Sequence, residues 1–469
     1  MSEAAKKIIK NENSPEVKKK FKMPDTYVLL LFFILGSALL TYIMPAGTYE
    51  FFKDTKNIDP NSFHFIDRTP VNLFYAFQSI SEGMIKSASI IFTVFLVSGA
   101  FKIINDTGSI DSGIDYLAKV LKGKVLVLIP IIMIVMSILG YLGIIVNQTI
   151  VFIPIGLLIA RKLKMDPIVG LSMMYLATYA GFIGSGMDPF TIVIAQKIAG
   201  LPILSAIVYR TVVYAFLLGA AILYLMSYAK KVMDNPELSI MGTDYEWAVE
   251  EHSSYGFSTR HKVILAAVFL TFSYYVYGAQ AKEWGMNELN TVVLMLAVFS
   301  GLVGRMSFEK MSKSFVDGCK MAVFSAILIG FATAISVVLT NGNIIHTIIY
   351  YASLPLKSMS TYASAIFIFA FNWVFNFFVP SGSGQAAVVM PILAPLGDVI
   401  GLSKQVIVSA YKYGDGITNL IIPTSGTLMG FIGLAKISYD KWLKFIFPLI
   451  WIWTGIAAAA VIVGVMIGH

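Results

Sequence analysis

The chain has a single cysteine, Cys319, in 469 residues. That excludes an intrachain disulfide and a thiolate metal cluster. Five histidines, at 64, 252, 261, 346 and 469, are scattered with no HxxxH spacing and no HExxH, so a zinc site is not expected. No GxxxxGK[ST] loop is present, which excludes a phosphate-cradling nucleotide loop and direct use of ATP. Charge is scarce as well: Asp, Glu, Lys and Arg together make up 13% of the residues. No cofactor is expected, and no catalytic residue is named.

What fills the chain instead is apolar sequence. Hydrophobic residues account for 57% and mean hydropathy is +0.76. Many apolar runs approach the roughly 20 residues that span a bilayer as a helix, so the expected fold is an all-α polytopic membrane protein. The net charge of +8 does not point to nucleic acid. The lysines lie in short loops between the spans and in residues 1–22, where positive charge marks the cytoplasmic side. Residues 1–22 read as a basic cytoplasmic tail without the apolar core and small-residue cleavage site of a signal peptide. The expected location is a bacterial inner membrane with the N-terminus in the cytoplasm.

Two stretches are wrong for a membrane helix and right for a binding site. Pro380-Ser381-Gly382-Ser383-Gly384-Gln385 interrupts one apolar run, and Gly414-Asp415-Gly416-Ile417-Thr418-Asn419 with Pro423-Thr424-Ser425-Gly426 interrupts the next. Non-helical backbone survives at membrane depth only when buried in protein or lining a polar cavity. The first half repeats the arrangement. Asn147-Gln148-Thr149 precedes VFIPI as Gly384-Gln385-Ala386 precedes VVMPI, and Gly184-Ser185-Gly186-Met187-Asp188-Pro189 matches the break that ends at Pro423. Pro154 and Pro391 lie 237 residues apart, Pro189 and Pro423 234, Tyr179 and Tyr413 234, and Gly83 and Gly318 235. Two copies of a hairpin followed by a broken helix are the pattern of a secondary transporter with internal repeats.

The basic loops give a layout. After the tail, residues 23–228 form a first transmembrane repeat, with spans expected at 26–45 and 88–104 and an outer segment at 46–86. Residues 125–160 make either two spans or a re-entrant hairpin with Asn147-Gln148-Thr149 at its tip; the polar tip favours the hairpin. Residues 167–198 cross outward with a break at 184–190, and 204–228 return. Residues 229–261 are a cytoplasmic linker. Residues 262–288 carry one connecting span, which inverts the second repeat, 289–469. Its spans fall at 289–304, 321–339 and 445–467, its hairpin at 361–400, and its broken helix at 404–432 with the break at 414–424.

Asp188 and Asp415 are the sharpest candidates, because an ionisable residue in mid-membrane is costly and marks a functional site. Each would ligate a coupling cation or a cationic group of the substrate; each also suits the cap of a half-helix. Asn147, Gln148, Thr149, Ser381, Ser383 and Gln385 supply the hairpin tips, and Ser185, Thr191, Thr418, Asn419, Thr424 and Ser425 complete the breaks. Their oxygens suit Na⁺ or ammonium and their amides a carboxylate. They equally suit the satisfaction of broken helix ends. Lys412 is expected to pair with Asp415 along one helix face or to snorkel outward. Arg210 is expected to anchor the outer end of its span. Trp373, Phe375, Phe377 and Phe378 read as lipid- or core-facing packing first and as gating aromatics second.

At these residues a resemblance emerges. NQTIVFIPIG, YAGFIGSGMDPFT, VPSGSGQAAVVMPILAPLGD and YGDGITNLIIPTSGTLMG, with MPDTYVLLLFFIL near the start, resemble the YfcC family of inner-membrane carriers, in the group built around the anaerobic C4-dicarboxylate carrier DcuC and within the ion-transporter superfamily. The resemblance runs from Met23 onward. It implies secondary transport by an elevator-like movement of the hairpin and broken-helix unit, with members assigned to C4-dicarboxylates or to basic amino acids, including arginine/ornithine exchange. Sodium-coupled dicarboxylate relatives carry Ser-Asn-Thr at each tip; the tips here differ. Two Asp against one Lys favour a ligand with positive charge, or a coupling cation. A basic amino acid antiporter therefore ranks first, and a Na⁺- or H⁺-coupled carrier of C4-dicarboxylates or short carboxylates second. An ion channel is a third reading, and no nucleophile–base or metal set supports an enzyme. The expected partners are a small charged substrate, a coupling Na⁺ or H⁺, and the bilayer, with a homodimer by fold-level analogy.

Overall fold

The computed structural model describes residues 26–50, 59, 62–120, 125–143, 145–188, 190–249, 256–282 and 284–469. The basic tail, Lys122, Lys124, Pro189 and six residues of the linker (250–255) lie outside these. The described chain is almost entirely helical; the only strands in it, β1 (Gly47–Thr48) and β2 (His64–Phe65), pair antiparallel.

The first half runs α1 (Thr26–Ile43), α2 (Leu73–Lys86), α3 (Ala88–Asp106), α4 (Ser109–Val120), α5 (Leu128–Tyr141), α6 (Ile153–Lys162), α7 (Pro167–Gly184), α8 (Ile192–Ile198) and α9 (Ile207–Asp234). Then come α10 (Thr259–Lys282), α11 (Met286–Val303), α12 (Phe308–Met321), α13 (Val323–Asn341), α14 (Ile345–Ser353), α15 (Thr361–Phe375), α16 (Gly382–Ile400), α17 (Lys404–Thr418), α18 (Gly426–Leu434) and α19 (Tyr439–Met466). Eight helical stretches of the described residues are long and apolar enough to cross a membrane. The chain is thus an all-α polytopic membrane protein. The short helices α2, α4, α12 and α14 were not expected from the apolar runs. In α2 and α12 the apolar residues take one face only, so neither gives a continuous run.

The expected spans fall within a few residues of α1, α3, α9, α10, α11, α13 and α19. Helices α2 and α3 match α12 and α13 in length at a constant separation of 235 residues. The contacts correspond too: α2 packs on α13 and α12 on α3, α1 on α13 and α11 on α3, α5 on α7 and α15 on α17. Gly83 and Gly318 sit at the two equivalent crossings. A Cβ on Gly83 would lie 2.5 Å from the Gly330 carbonyl, and one on Gly318 would strike the Ser98 carbonyl. Helix α5 has 14 residues and α15 has 15. At about 1.5 Å per residue, neither crosses a hydrocarbon core of about 30 Å alone.

The breaks stand close to where the sequence places them, with one correction. The first runs from Ser185 to Thr191, between α7 and α8. The second starts only at Asn419, because Gly414, Asp415, Gly416, Ile417 and Thr418 remain helical in α17. Gly414 permits close packing there and does not interrupt the helix: its Cβ would lie 2.7 Å from the Trp373 backbone nitrogen on α15. Both broken helices are central. Every residue of α7 is buried, as is α17 from Val406 onward. Helix α7 starts on a capped Pro: Asp166 accepts the Val169 N–H at 3.0 Å, and Pro167 takes the first helical position.

Candidate functional site

Burying α7 and α17 against each other forces their polar residues to find partners inside the protein, and the partners cross between the halves. Lys412, on α17, is fully buried. Its Nζ lies 3.1 Å from Asp188 Oδ2 and 2.6 Å from Thr191 Oγ1, both in the first break, and 3.1 Å from the centre of the Phe182 ring on α7. This corrects the expectation for Lys412: it bonds to Asp188 of the other half, not to Asp415, and does not reach the surface. A buried ammonium needs a carboxylate and hydrogen bonds to offset its lost hydration, and the first break supplies both. The Thr191 hydroxyl also donates to Asp188 Oδ2. Asp188 Oδ1 accepts the Phe190 N–H at 2.9 Å. Ser185 Oγ accepts the N–H groups of Met187 (3.1 Å) and Asp188 (2.9 Å) and donates to the Tyr141 carbonyl, so it shapes the loop.

Asp415 lies in the last turn of α17, fully buried. Its Oδ1 accepts from Asn419 Nδ2 at 3.2 Å, and its Oδ2 has no hydrogen-bond partner. The turn that opens α16 covers it: a Cβ on Gly382 would lie 2.6 Å from Thr191 Cγ2 and 3.0 Å from Asp415 Oδ2. This turn therefore touches the first break and Asp415 at once. Asn376 Nδ2 donates to the Asp415 carbonyl and to Thr418 Oγ1, each at 2.9 Å, while Gln385 Nε2 donates to Asn372 Oδ1 at 2.8 Å. These bonds hold α15, α16 and α17 together around Asp415. They leave Asn376 Oδ1 and Gln385 Oε1 buried without partners.

Beside this centre lies a cavity of about 780 Å³. From the first half Asn147, Gln148, Asp188 and Thr191 line it; from the second, Ser381, Ser383, Asn419, Thr424 and Ser425 do. The volume falls within the roughly 300–1,000 Å³ usual for small-molecule sites. Ser381 caps α16 by accepting the Gly384 N–H, and Ser425 caps α18 by accepting the Leu428 N–H, so the positive ends of both helices border the cavity. Thr149, Ser185, Gln385, Asp415 and Thr418 stand behind the wall. The Thr149 hydroxyl bonds the Ile145 carbonyl at 2.6 Å and Thr178 Oγ1 at 3.1 Å. Lys86 and His346 also face the cavity; sequence reading passed over both, since each lies in an amphipathic segment far from any break. Arg210 is no surface anchor. It is fully buried and bonds Ser205 O and Gln405 Oε1 at 3.0 Å each, with Ser409 at 3.3 Å, tying α9 to α17. Among the described residues no group of three His, Cys, Asp or Glu could hold a metal ion.

The family model described as "C4-dicarboxylate anaerobic carrier", DcuC, matches residues 23–466. The chain belongs to the DcuC family. Within it, a protein of Escherichia coli K12 named "Putative basic amino acid antiporter YfcC" is 30% identical, over 91% of this chain and 93% of its own length. An uncharacterized protein of Haemophilus influenzae is 26% identical, over 92% and 95%. This DcuC-family chain is a YfcC-like membrane carrier, a multi-pass transporter. Two solved structures align over most of its length. They are the YdaH transporter of Alcanivorax borkumensis (14% identity, 95% of this chain and 99% of that one, TM-score 0.43) and MtrF of Neisseria gonorrhoeae (15%, 94% and 95%, TM-score 0.43).

Proposed function

We propose that the chain is a secondary active transporter of small charged metabolites across a bacterial inner membrane, specifically a basic amino acid antiporter of the arginine/ornithine type. The observation that carries this reading is the charge count at the centre. Two buried carboxylates, Asp188 and Asp415, face one ammonium, Lys412, and one oxygen of Asp415 has no partner. Such a site disfavours a dianion and favours a ligand that brings positive charge. The capped ends of α16 and α18 offer a seat for an α-carboxylate. The relative named as a basic amino acid antiporter points the same way.

The architecture of the reading is two inverted repeats, 23–228 and 289–469, joined through the cytoplasmic linker 229–261 and the connecting segment 262–288. The 125–160 and 361–400 hairpins are re-entrant, and they move with the broken helices in alternating access. The matched helices at 235 residues' separation and the short α5 and α15 support it. The N-terminus is cytoplasmic, which sets Thr48, Asn343 and His346, all on the cavity wall, toward the outer side of the membrane. All fourteen predicted residues belong to the binding unit, nine on the wall and five behind it.

The second reading is a Na⁺- or H⁺-coupled carrier of C4-dicarboxylates or short carboxylates. The helix ends and Lys86 on the cavity wall favour it, with Asp415 then serving the coupling cation. Exchange in proteoliposomes separates the two. Labelled arginine outside, with unlabelled arginine inside and no ion gradient, should enter faster than into empty or fumarate-loaded vesicles. No arginine uptake, with labelled fumarate entering under a Na⁺ or H⁺ gradient, would replace the first reading by the second.

A further inference from the structure

The surroundings of the Lys412 ammonium are those expected of a receptor for an alkylammonium group. A carboxylate lies at 3.1 Å, a hydroxyl at 2.6 Å and an aromatic face at 3.1 Å, and all three belong to the other half of the chain. All three, Phe182, Asp188 and Thr191, are also on the cavity wall. Three residues further along α17, on the same face, is Asp415, whose Oδ2 is buried and has no hydrogen-bond partner. Asp415 is thus the next carboxylate along the same face of α17 from the ammonium.

We propose that Lys412 is a built-in occupant of an ammonium subsite formed by Asp188, Thr191 and Phe182, and that the transported cation displaces it onto Asp415. The inference rests on the cation-exchanger reading above and adds to it which group the cation meets and why exchange is strict. With Lys412 on Asp188, and with Arg210 held by Ser205, Gln405 and Ser409, Asp415 has no counter-charge bonded to it, which is costly to carry through the membrane. With a cation on Asp188 and Lys412 on Asp415, the centre is neutral and free to cross. Return without a cation is disfavoured by the same count.

The variants follow from the charges. In Lys412→Met the internal competitor is gone, so arginine should bind about tenfold tighter, within the range of ordinary site-to-site coupling. Exchange should collapse, because one charge remains uncompensated even when loaded. Lys412→Met/Asp415→Asn restores the wild-type count: one carboxylate, neutral when loaded. It should keep the tighter binding and recover exchange at least about tenfold over the single variant, a similar coupling. Asp415→Asn alone leaves Lys412 no second seat, so arginine uptake should be lost.

The experiment uses full-length protein, checked for a single gel-filtration peak. It measures labelled-arginine binding in detergent and arginine/arginine exchange in liposomes for the wild type and the three variants. No arginine exchange by the wild type defeats the exchanger reading, and this inference with it. Wild-type exchange with Lys412→Met binding arginine no tighter, or more weakly, overturns the displacement alone. Should Lys412→Met fail the gel-filtration check, the double variant decides. Monodisperse double variant that neither binds tighter nor exchanges arginine overturns the proposal as well.

Discussion

Thr191 connects more of the site than any other side chain. It donates to Asp188, accepts from Lys412 and meets the Gly382 turn that opens α16. Thr191→Val keeps the shape and removes the hydroxyl. Losing a hydrogen bond to a charged group costs about 1.5–3 kcal/mol, so in a Lys412→Met background, where no internal ammonium competes for the hydroxyl, arginine binding in detergent should weaken roughly 10- to 100-fold. Binding within about twofold of Lys412→Met would mean the hydroxyl has no part in the site. The role of Thr191 was only half legible in the sequence. Its place in the break was visible, but its bond to Lys412 was not, because the two residues are 221 positions apart. The same distance hid the partner of Lys412. The nearest carboxylate along the helix was Asp415, and a local rule chose it; the cross-half packing of α7 on α17 decided otherwise.

The start of α7 shows how one broken helix is fastened. Asp166 caps the helix through Val169 and also accepts hydrogen bonds from Tyr228 on α9 (2.5 Å) and Ser239 in the linker (2.6 Å). Burial raises the Asp166 carboxyl above its ordinary pKa, and these hydrogen bonds work against that shift. Asp166→Ala removes the cap and both ties. A lost N-cap alone costs about 0.5–2 kcal/mol, so the melting temperature in detergent should fall, while arginine affinity of the folded fraction should hold because Asp166 lies outside the cavity. Unchanged melting would deny the cap its structural weight. The long helices and the breaks were readable because apolar length and Pro, Gly and Ser clusters announce them. The end of α17 was misplaced because glycine reads as a breaker in a sequence, whereas here Gly414 serves close contact with α15. The short helices were missed for the opposite reason: a one-sided apolar face has no long run to find.

For the whole molecule, the proposed inverted arrangement makes a prediction that the charge pattern alone cannot prove. Ile240 lies in the linker and Pro355 in the short 3-10 helix after α14 (Leu354–Ser358), and the proposed layout sets them on opposite sides of the membrane. In a Cys319→Ser background, Ile240→Cys should react with a membrane-impermeant maleimide only from the cytoplasmic side and Pro355→Cys only from outside. Labelling from one common side would refute the inversion. The background is well suited, since Cys319 makes one modest contact, to the Phe95 carbonyl at 3.3 Å, which a serine hydroxyl can keep.

The complete burial of α7 also separates two environments within one protein. Only about a quarter to a third of the spanning windows of α1, α9 and α19 is enclosed by protein, against the whole of α7. These outer helices meet the acyl chains, so a thicker or thinner bilayer acts on them first, through tilt and local lipid deformation. The helix that leads into the first break is solvated by protein on every face. Its fit is set by the volumes of neighbouring side chains and not by the length of a lipid tail.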